Sequence, residues 1–161
     1  MSAARPAELS FTPAEGGIEM CSVRVGETLF GVPIMRILEI LDAPVTRPVP
    51  LAPAYIGGLV HYRGEILTAV SLRTLLGMAA HAEPQDLLVF EGKDGYFGLL
   101  VDAVGEVRTV SPQEFEPNPS TLEDSRKALF AGAYKLADRL LVMLDPARFD
   151  PVQLAQGQLS R

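Results

Sequence analysis

Short apolar runs, separated by Gly, Pro or Asp, fill the chain from Ile18 onward. Runs of four to seven apolar residues between turn-forming residues are typical of β-strands. They predict nine strands, at 19–25, 28–32, 58–62, 65–72, 86–91, 96–102, 106–110, 131–136 and 139–144. Turn residues such as Gly26-Glu27, Ala137-Asp138 and the GKDG segment at 92–95 predict antiparallel hairpins between neighbouring strands.

Helical signals are few and short. Residues 73–76, followed by Gly77, predict one helical turn, and Asp145-Pro146 predicts the N-cap of a short helix that ends at 148 or 149. Segment 34–41 fits a helical face and a strand equally well, and we favour a helical turn at 34–37 with a strand from Leu38. Prolines predict an extended linker at 43–53, and Pro and Glu predict a solvated, mobile loop at 111–125.

Many short strands with little helix imply barrels or a sandwich. A chain of 161 residues is expected to form one domain, or two small lobes with a common core. We expect a loosely ordered leader at 1–17, a folded domain at 18–150 and a C-terminal tail at 151–161.

The charge balance restricts the possible partners. Fourteen Lys and Arg against 20 Asp and Glu give a net charge of −6, which argues against nucleic acid and against anionic membrane surfaces. The N-terminus lacks the apolar region of a secretory signal, and no stretch approaches the ~20 apolar residues of a membrane span. These features predict a cytoplasmic protein without direct membrane insertion.

Catalytic chemistry has no recognisable motif in this sequence. One cysteine (Cys21) and two histidines exclude an internal disulfide and a Cys- or His-rich metal site. His61 has no neighbouring nucleophile, so we expect it to be structural, and we expect Cys21 to be buried in its strand. Asp102 and Asp145 are expected to cap turns or helices. No catalytic residue, metal or cofactor is predicted, which favours a binding module.

Arg63-Gly64 lies between two apolar runs and predicts a tight turn that carries Arg63. Such an arginine is either solvated or held to bind a carboxylate through its planar guanidinium. Glu39 is a plausible partner if the carboxylate is in this chain, and a second protein is the alternative.

Eight segments, taken in order, resemble the CheW family, the cytoplasmic coupling proteins of bacterial chemosensory arrays. The resemblance spans about residues 18–149 and consists of LFGVPI at 29–34, ILEI at 37–40, TRPVP at 46–50, YIGGL at 55–59, HYRGEIL at 61–67, SLR at 71–73, FGLLVDAVGEV at 97–107 and LLVMLD at 140–145. It implies a mostly β fold: two SH3-like five-stranded β-barrel subdomains that share a hydrophobic core, with a few short helices.

The resemblance also implies a non-catalytic adaptor. Such proteins couple the cytoplasmic tip of methyl-accepting chemoreceptors to the regulatory domain of a CheA-type histidine kinase. The receptor-binding positions of the family fall on Ile34, Ile37, Glu39 and Arg63, in a groove that accepts a helical hairpin. Gly58 and Gly64 are expected to serve structural turns.

The family motif Asn-Leu-Arg-Gly is His61-Tyr62-Arg63-Gly64 here. This departure leaves open an adaptor of a non-swimming chemosensory pathway, which controls pili or development. Two other classes also remain open: a small hydrolase that uses His61 with a carboxylate partner, and a peptide-binding module of the SH3 or OB type.

Overall fold

Two β-sheets form the framework of the computed structural model, which describes residues 17–119 and 124–159. Sheet 1 contains β1 (Ile18–Val25), β2 (Thr28–Pro33), β8 (Ala103–Val110), β9 (Phe115–Glu116), β10 (Phe130–Lys135) and β11 (Leu140–Leu144), in the order β8-β1-β2-β11-β10-β9. Sheet 2 contains β3 (Glu39–Leu41), β4 (Ile56–Tyr62), β5 (Glu65–Ser71), β6 (Asp86–Gly92) and β7 (Gly95–Val101), in the order β3-β6-β7-β5-β4.

The helices are short and connect the strands. In the described part of the chain, three are 3₁₀ helices, at Ile34–Arg36, Pro112–Glu114 and Pro146–Phe149, and three are α-helices: α1 (Leu72–Leu75), α2 (Asp124–Leu129) and α3 (Pro151–Leu159). Within the ranges 17–119 and 124–159, no helix has both the length and the hydropathy of a membrane span.

The strand pattern in the sequence is confirmed. All nine predicted strands are present, with ends that differ by a few residues, and the ambiguous segment forms a 3₁₀ turn followed by β3. Helix α1 and the 3₁₀ helix after Asp145 are also where the sequence placed helical turns. The sequence did not predict β9, α2 or α3. The expected leader, apart from Gly17, lies outside the described residues, and residues 151–159 of the expected tail form α3.

Antiparallel hairpins build most of both sheets, as the turn residues indicated. The pairs β1–β2, β4–β5, β6–β7 and β10–β11 are antiparallel. The pairs β1–β8, β3–β6 and β9–β10 are also antiparallel. The pairs β2–β11 and β5–β7 are parallel and bring together strands that are distant in the sequence.

The described residues form three apolar clusters in the interior. The largest lies between the sheets and includes Val23 and Phe30 of sheet 1 and Leu88 and Leu99 of sheet 2. A second is lined by sheet 2 alone, and a third mainly by sheet 1. The fold is therefore mostly β, with two β subdomains that share a hydrophobic core; sheet 2 has the five strands expected, and sheet 1 has the two-residue β9 in addition.

The chain crosses between the sheets twice within the described residues. The first crossing, at 34–38, follows β2 and leads through a 3₁₀ turn into β3. The second consists of Asp102 alone, which separates β7 of sheet 2 from β8 of sheet 1. Every other connection between consecutive strands stays within one sheet.

Candidate partner-binding site

Arg63 occupies the turn between β4 and β5. Tyr62 pairs with Glu65 across the hairpin, and the two turn residues Arg63 and Gly64 have φ angles of +52° and +77°. Positive φ at both central positions is the backbone of a type I′ hairpin turn, which follows the right-handed twist of the strands. The predicted tight turn is present, and it leaves 68% of the Arg63 side chain exposed.

Glu39 is the carboxylate that Arg63 binds. Nη2 of Arg63 lies 3.3 Å from Oε1 of Glu39 on β3. Strands β3 and β4 are the two edges of sheet 2, which must therefore curve strongly to bring these side chains together. An ion pair this exposed adds little stability to the fold.

Tyr62 contacts both residues of this ion pair. The guanidinium carbon of Arg63 lies 5.4 Å from the centre of the Tyr62 ring, within the range of a cation–π contact. The ring is buried and packs edge-on against Tyr96, with 5.0 Å between centroids. Burial raises the pKa of the Tyr62 hydroxyl, and its hydrogen bond with the Glu39 carboxylate raises that pKa further. Position 62 departs from the family motif, and sequence reasoning gave it no role.

The two isoleucines lie at the first crossing. Ile34 is only 4% exposed and belongs to the core between the sheets, whereas Ile37 is partly buried against that core. The exposed apolar side chains of the crossing are Met35, at 71%, and Leu38, at 48%. The structure thus brings Glu39 and Arg63 into contact and buries Ile34 in the core. The exposed neighbours Met35 and Leu38 were not indicated by the sequence.

Gly58 and Gly64 have different surroundings. Gly64 lies in the hairpin turn with open space around it. Gly58 lies inside β4 at an irregularity of register, with a φ of +146°. A Cβ at position 58 would lie 2.5 Å from the carbonyl oxygen of Arg47, which bridges to Leu59. Gly58 therefore allows the linker before β4 to approach the strand closely.

His61 lies on the exposed face of β4, opposite Ile66. No hydrogen bond or ion pair joins His61 to any residue in the described part of the chain, so it lacks the carboxylate that a hydrolytic site would need. No group of three or more His, Cys, Asp or Glu in the described ranges is arranged to hold a metal ion. Cys21 is buried in β1, as expected.

Several polar groups surround the Asp102 carboxylate. Its Oδ2 accepts hydrogen bonds from the Gly26 backbone N–H at 2.7 Å and from Nη1 of Arg73 at 2.6 Å. Its Oδ1 accepts from Nε2 of Gln85 at 3.0 Å. Nε2 of His81 lies 3.6 Å from Oδ2. The turn-capping role expected of Asp102 is confirmed, but its side-chain partners come from distant segments that no sequence pattern links.

Comparison with known proteins identifies relatives of the whole folded region. Residues 19–150 match the model of the CheW-like domain. The chain is 35% identical over 133 residues to "Chemotaxis protein CheW" of Rhizobium meliloti. The matched region covers 81% of this chain and 85% of the relative. The chain is also 33% identical over 104 residues to "Protein FrzA" of Myxococcus xanthus, covering 63% of this chain and 64% of the relative.

A solved structure has the same fold. The crystal structure of the scaffolding protein TtCheW from Thermoanaerobacter tengcongensis superposes with a TM-score of 0.72, covering 80% of this chain and 88% of that one, at 23% sequence identity.

Proposed function

The chain belongs to the family of CheW-like domain proteins, and from this premise we propose that it is a non-catalytic adaptor that couples chemoreceptors to a CheA-type histidine kinase. Its activity is then to hold two partners in a fixed relative position. The main structural observation behind this proposal is the exposed Glu39–Arg63 pair beside the first crossing.

The first crossing, together with the Arg63 turn, is the proposed receptor-binding site. Apolar side chains in this region would contact the apolar face of a receptor helix, as in other helix-in-groove complexes. Met35 and Leu38 are exposed enough to do so directly, and Ile37 is partly accessible. Ile34 is buried, so its contribution would be to support these residues from the core.

The charged pair would fix the register of the bound helix. Arg63 has five N–H donors in a planar fork, and only part of that capacity is used on Glu39. The remaining donors face solvent and are free to bind a carboxylate or carbonyl of the partner. Charged groups at the edge of an apolar contact set specificity more than affinity, which suits an adaptor that must orient its partners.

A non-swimming pathway is the second candidate within the same class. Its support is the similarity to "Protein FrzA" of Myxococcus xanthus, whose 33% identity is close to the 35% identity of the Rhizobium meliloti protein. The biochemical activity would be the same in both cases, and the identity of the receptor and kinase would differ.

Binding to purified partners tests this proposal. A soluble receptor cytoplasmic fragment and a kinase regulatory domain are titrated separately and together by isothermal calorimetry. We expect each to bind alone and a ternary complex to form. Failure to bind either partner of the cognate pathway would refute the adaptor function.

Ile37→Asp tests the position of the receptor site. A carboxylate at this partly buried position should weaken binding of the receptor fragment and leave binding of the kinase domain intact. Because it can also lower stability, a circular dichroism melt must accompany the titration. Leu140→Asp places the same charge on an exposed side chain of β11 and serves as the control. Equal loss in both variants, or none in Ile37→Asp, would contradict the assignment.

A further inference from the structure

The Arg73–Asp102 ion pair lies at the second crossing between the sheets and is almost completely buried. The side chain of Asp102 is 1% exposed and that of Arg73 is 14% exposed. The Nη1–Oδ2 distance of 2.6 Å is that of a strong, charge-assisted hydrogen bond. We call this pair the inter-sheet ion pair.

Groups from both sheets converge on Asp102. From sheet 1, the Gly26 N–H of the β1–β2 turn binds its carboxylate, and the Arg24 carbonyl accepts from its backbone N–H at 3.0 Å. From sheet 2, Arg73 lies on the helix that follows β5, and Gln85 immediately precedes β6. One carboxylate thus joins two sheets whose other contacts are largely apolar.

The Arg73 side chain is itself held in place. Its Nε donates to the carbonyl of Ala79 at 2.8 Å, while Nη1 donates to Asp102. The segment after α1 also covers the site, since a Cβ on Gly26 would lie 2.5 Å from Cε of Met78. The guanidinium therefore has a fixed direction. Apolar packing between the sheets is non-directional, so it restrains their relative orientation less strictly than this hydrogen-bonded pair does.

We propose that the inter-sheet ion pair fixes the angle between the two sheets, and that Arg73 and Asp102 are positioning residues for receptor binding at the first crossing. The chain passes between the sheets at only two places in the described residues, 34–38 and Asp102. If the contacts at Asp102 are lost, only the non-directional apolar packing between the sheets limits their relative angle, and Ile37 and Glu39 can then shift relative to sheet 1. The part of this proposal that concerns receptor binding rests on the proposed function.

Spin-label distance measurements test the angle without any partner. In a Cys21→Ala background, cysteines at Thr109 of sheet 1 and Glu91 of sheet 2, both exposed, carry the labels. Asp102→Asn removes the charge while keeping the shape, and we expect it to broaden or shift the distance distribution between the sheets. Labels at Glu65 and Glu91, both in sheet 2, should give an unchanged distribution. An unchanged distribution between the sheets would overturn the proposal.

Arg73→Lys provides a second variant in case Asp102→Asn does not fold. It keeps the charge but loses the planar fork that binds Asp102 and Ala79 together, so the distribution between the sheets should again broaden. Glu116→Gln, which neutralises one partner of the exposed Lys135–Glu116 pair on sheet 1, is the matched control. A folded Arg73→Lys protein with the wild-type distribution would also overturn the proposal.

Receptor affinity separates positioning from simple structural support. We expect the receptor fragment to bind a folded Asp102→Asn or Arg73→Lys protein roughly tenfold more weakly, although neither residue belongs to the proposed receptor-binding site. A broadened distribution with wild-type affinity would refute the positioning role. If the wild-type protein itself does not bind the fragment, the proposed function fails, and the spin-label result still decides whether the ion pair fixes the angle.

Discussion

At the scale of single residues, Arg63 combines an unfavourable backbone with a useful side-chain position. A φ of +52° is uncommon for a residue with a Cβ, and Asn or Gly is preferred at the first central position of a type I′ turn. The Glu39 carboxylate and the Tyr62 ring both contact the guanidinium in this conformation. The turn therefore presents an oriented cation instead of a freely moving one.

Arg63→Glu should weaken receptor binding by at least roughly tenfold, because it places a carboxylate beside Glu39 and removes the cation. The melting temperature should stay nearly unchanged, since the side chain is mostly exposed. Lys135→Glu makes the same charge change on an exposed ion pair of sheet 1 and should leave receptor affinity intact. Wild-type affinity of the Arg63→Glu protein in calorimetry would remove Arg63 from the site.

Asp86 supplies a prediction about pH. Burial raises the pKa of its carboxyl above the ordinary value, although the backbone N–H of Ala43 donates to it at 3.2 Å. A raised pKa in the folded state means that the protonated acid stabilises the fold at low pH, and this contribution is lost as pH rises through the folded-state pKa. Asp86→Asn keeps an acceptor for Ala43 and removes the charge.

We therefore expect Asp86→Asn to raise the melting temperature slightly at pH 7. The difference from wild type should shrink as pH falls toward the ordinary Asp pKa of about 3.9. Asp94→Asn, on the exposed β6–β7 turn, is the control and should show no such trend. A lower melting temperature for Asp86→Asn at pH 7 would show that the charge is favourable.

The sequence named Glu39 as one of two possible partners for Arg63 but gave no indication of the contacts of Asp102, for a physical reason. Arg63 lies in a tight turn, and the preceding apolar segment contains one glutamate, Glu39. The choice of a partner for Arg63 within that segment is therefore limited. By contrast, Gly26, Arg73 and Gln85 are each far from Asp102 along the chain, and only the folded backbone brings them together. Tyr62 departs from the family motif, but its ring contacts Tyr96 of β7. Strand β7 does not pair with β4, so the sequence gave no reason to expect this contact.

At the scale of elements, strands with a clear apolar run were predictable and elements without one were not. Strand β9 has only two residues, too few for any periodicity. Helix α3 was missed although Asp150-Pro151 repeats the cap-and-proline signal that correctly indicated the 3₁₀ helix after Asp145. That signal was sufficient, and the helix should have been predicted.

Asp150 ties α3 to the β6–β7 hairpin. Its Oδ1 accepts from the Val152 N–H at 3.0 Å, and its Oδ2 accepts from the Lys93 N–H at 2.9 Å. Asp150→Ala should lower the free energy of unfolding by about 0.5–2 kcal/mol, the usual cost of losing an N-cap, and should speed amide exchange at Lys93. Gln153→Ala, exposed on the same helix, is the control. Unchanged exchange at Lys93 would show that the hairpin does not depend on this contact.

At the scale of the whole molecule, the buried ion pair and the apolar core stabilise the same arrangement by different means. Removing one partner leaves an uncompensated charge where solvent is excluded, and such changes typically cost about 3–5 kcal/mol. We expect Asp102→Leu and Arg73→Met each to lower the free energy of unfolding in this range. The double variant should lose less than the sum, by about 0.5–3 kcal/mol.

Urea denaturation of the four proteins in this cycle measures the coupling energy. Additive losses would show that the two side chains act independently in spite of their 2.6 Å contact. A matched cycle on Lys135→Met and Glu116→Leu, at a pair that is 58% and 50% exposed, should give little coupling.

The order of strands in sheet 1 has a consequence for synthesis on the ribosome. Strands β1 and β2 emerge early, but β2 must pair with β11, where Phe30 lies beside Val142. Sheet 2, by contrast, is drawn from the uninterrupted stretch 39–101 and can assemble as soon as that stretch has left the exit tunnel. At a synthesis rate of about 5–20 residues per second, β11 is made on the order of ten seconds after the β1–β2 hairpin. Nascent chains that carry residues 1–110 followed by a linker long enough to clear the exit tunnel should therefore protect the amides of sheet 2, while the amides on the β11 side of β2 still exchange.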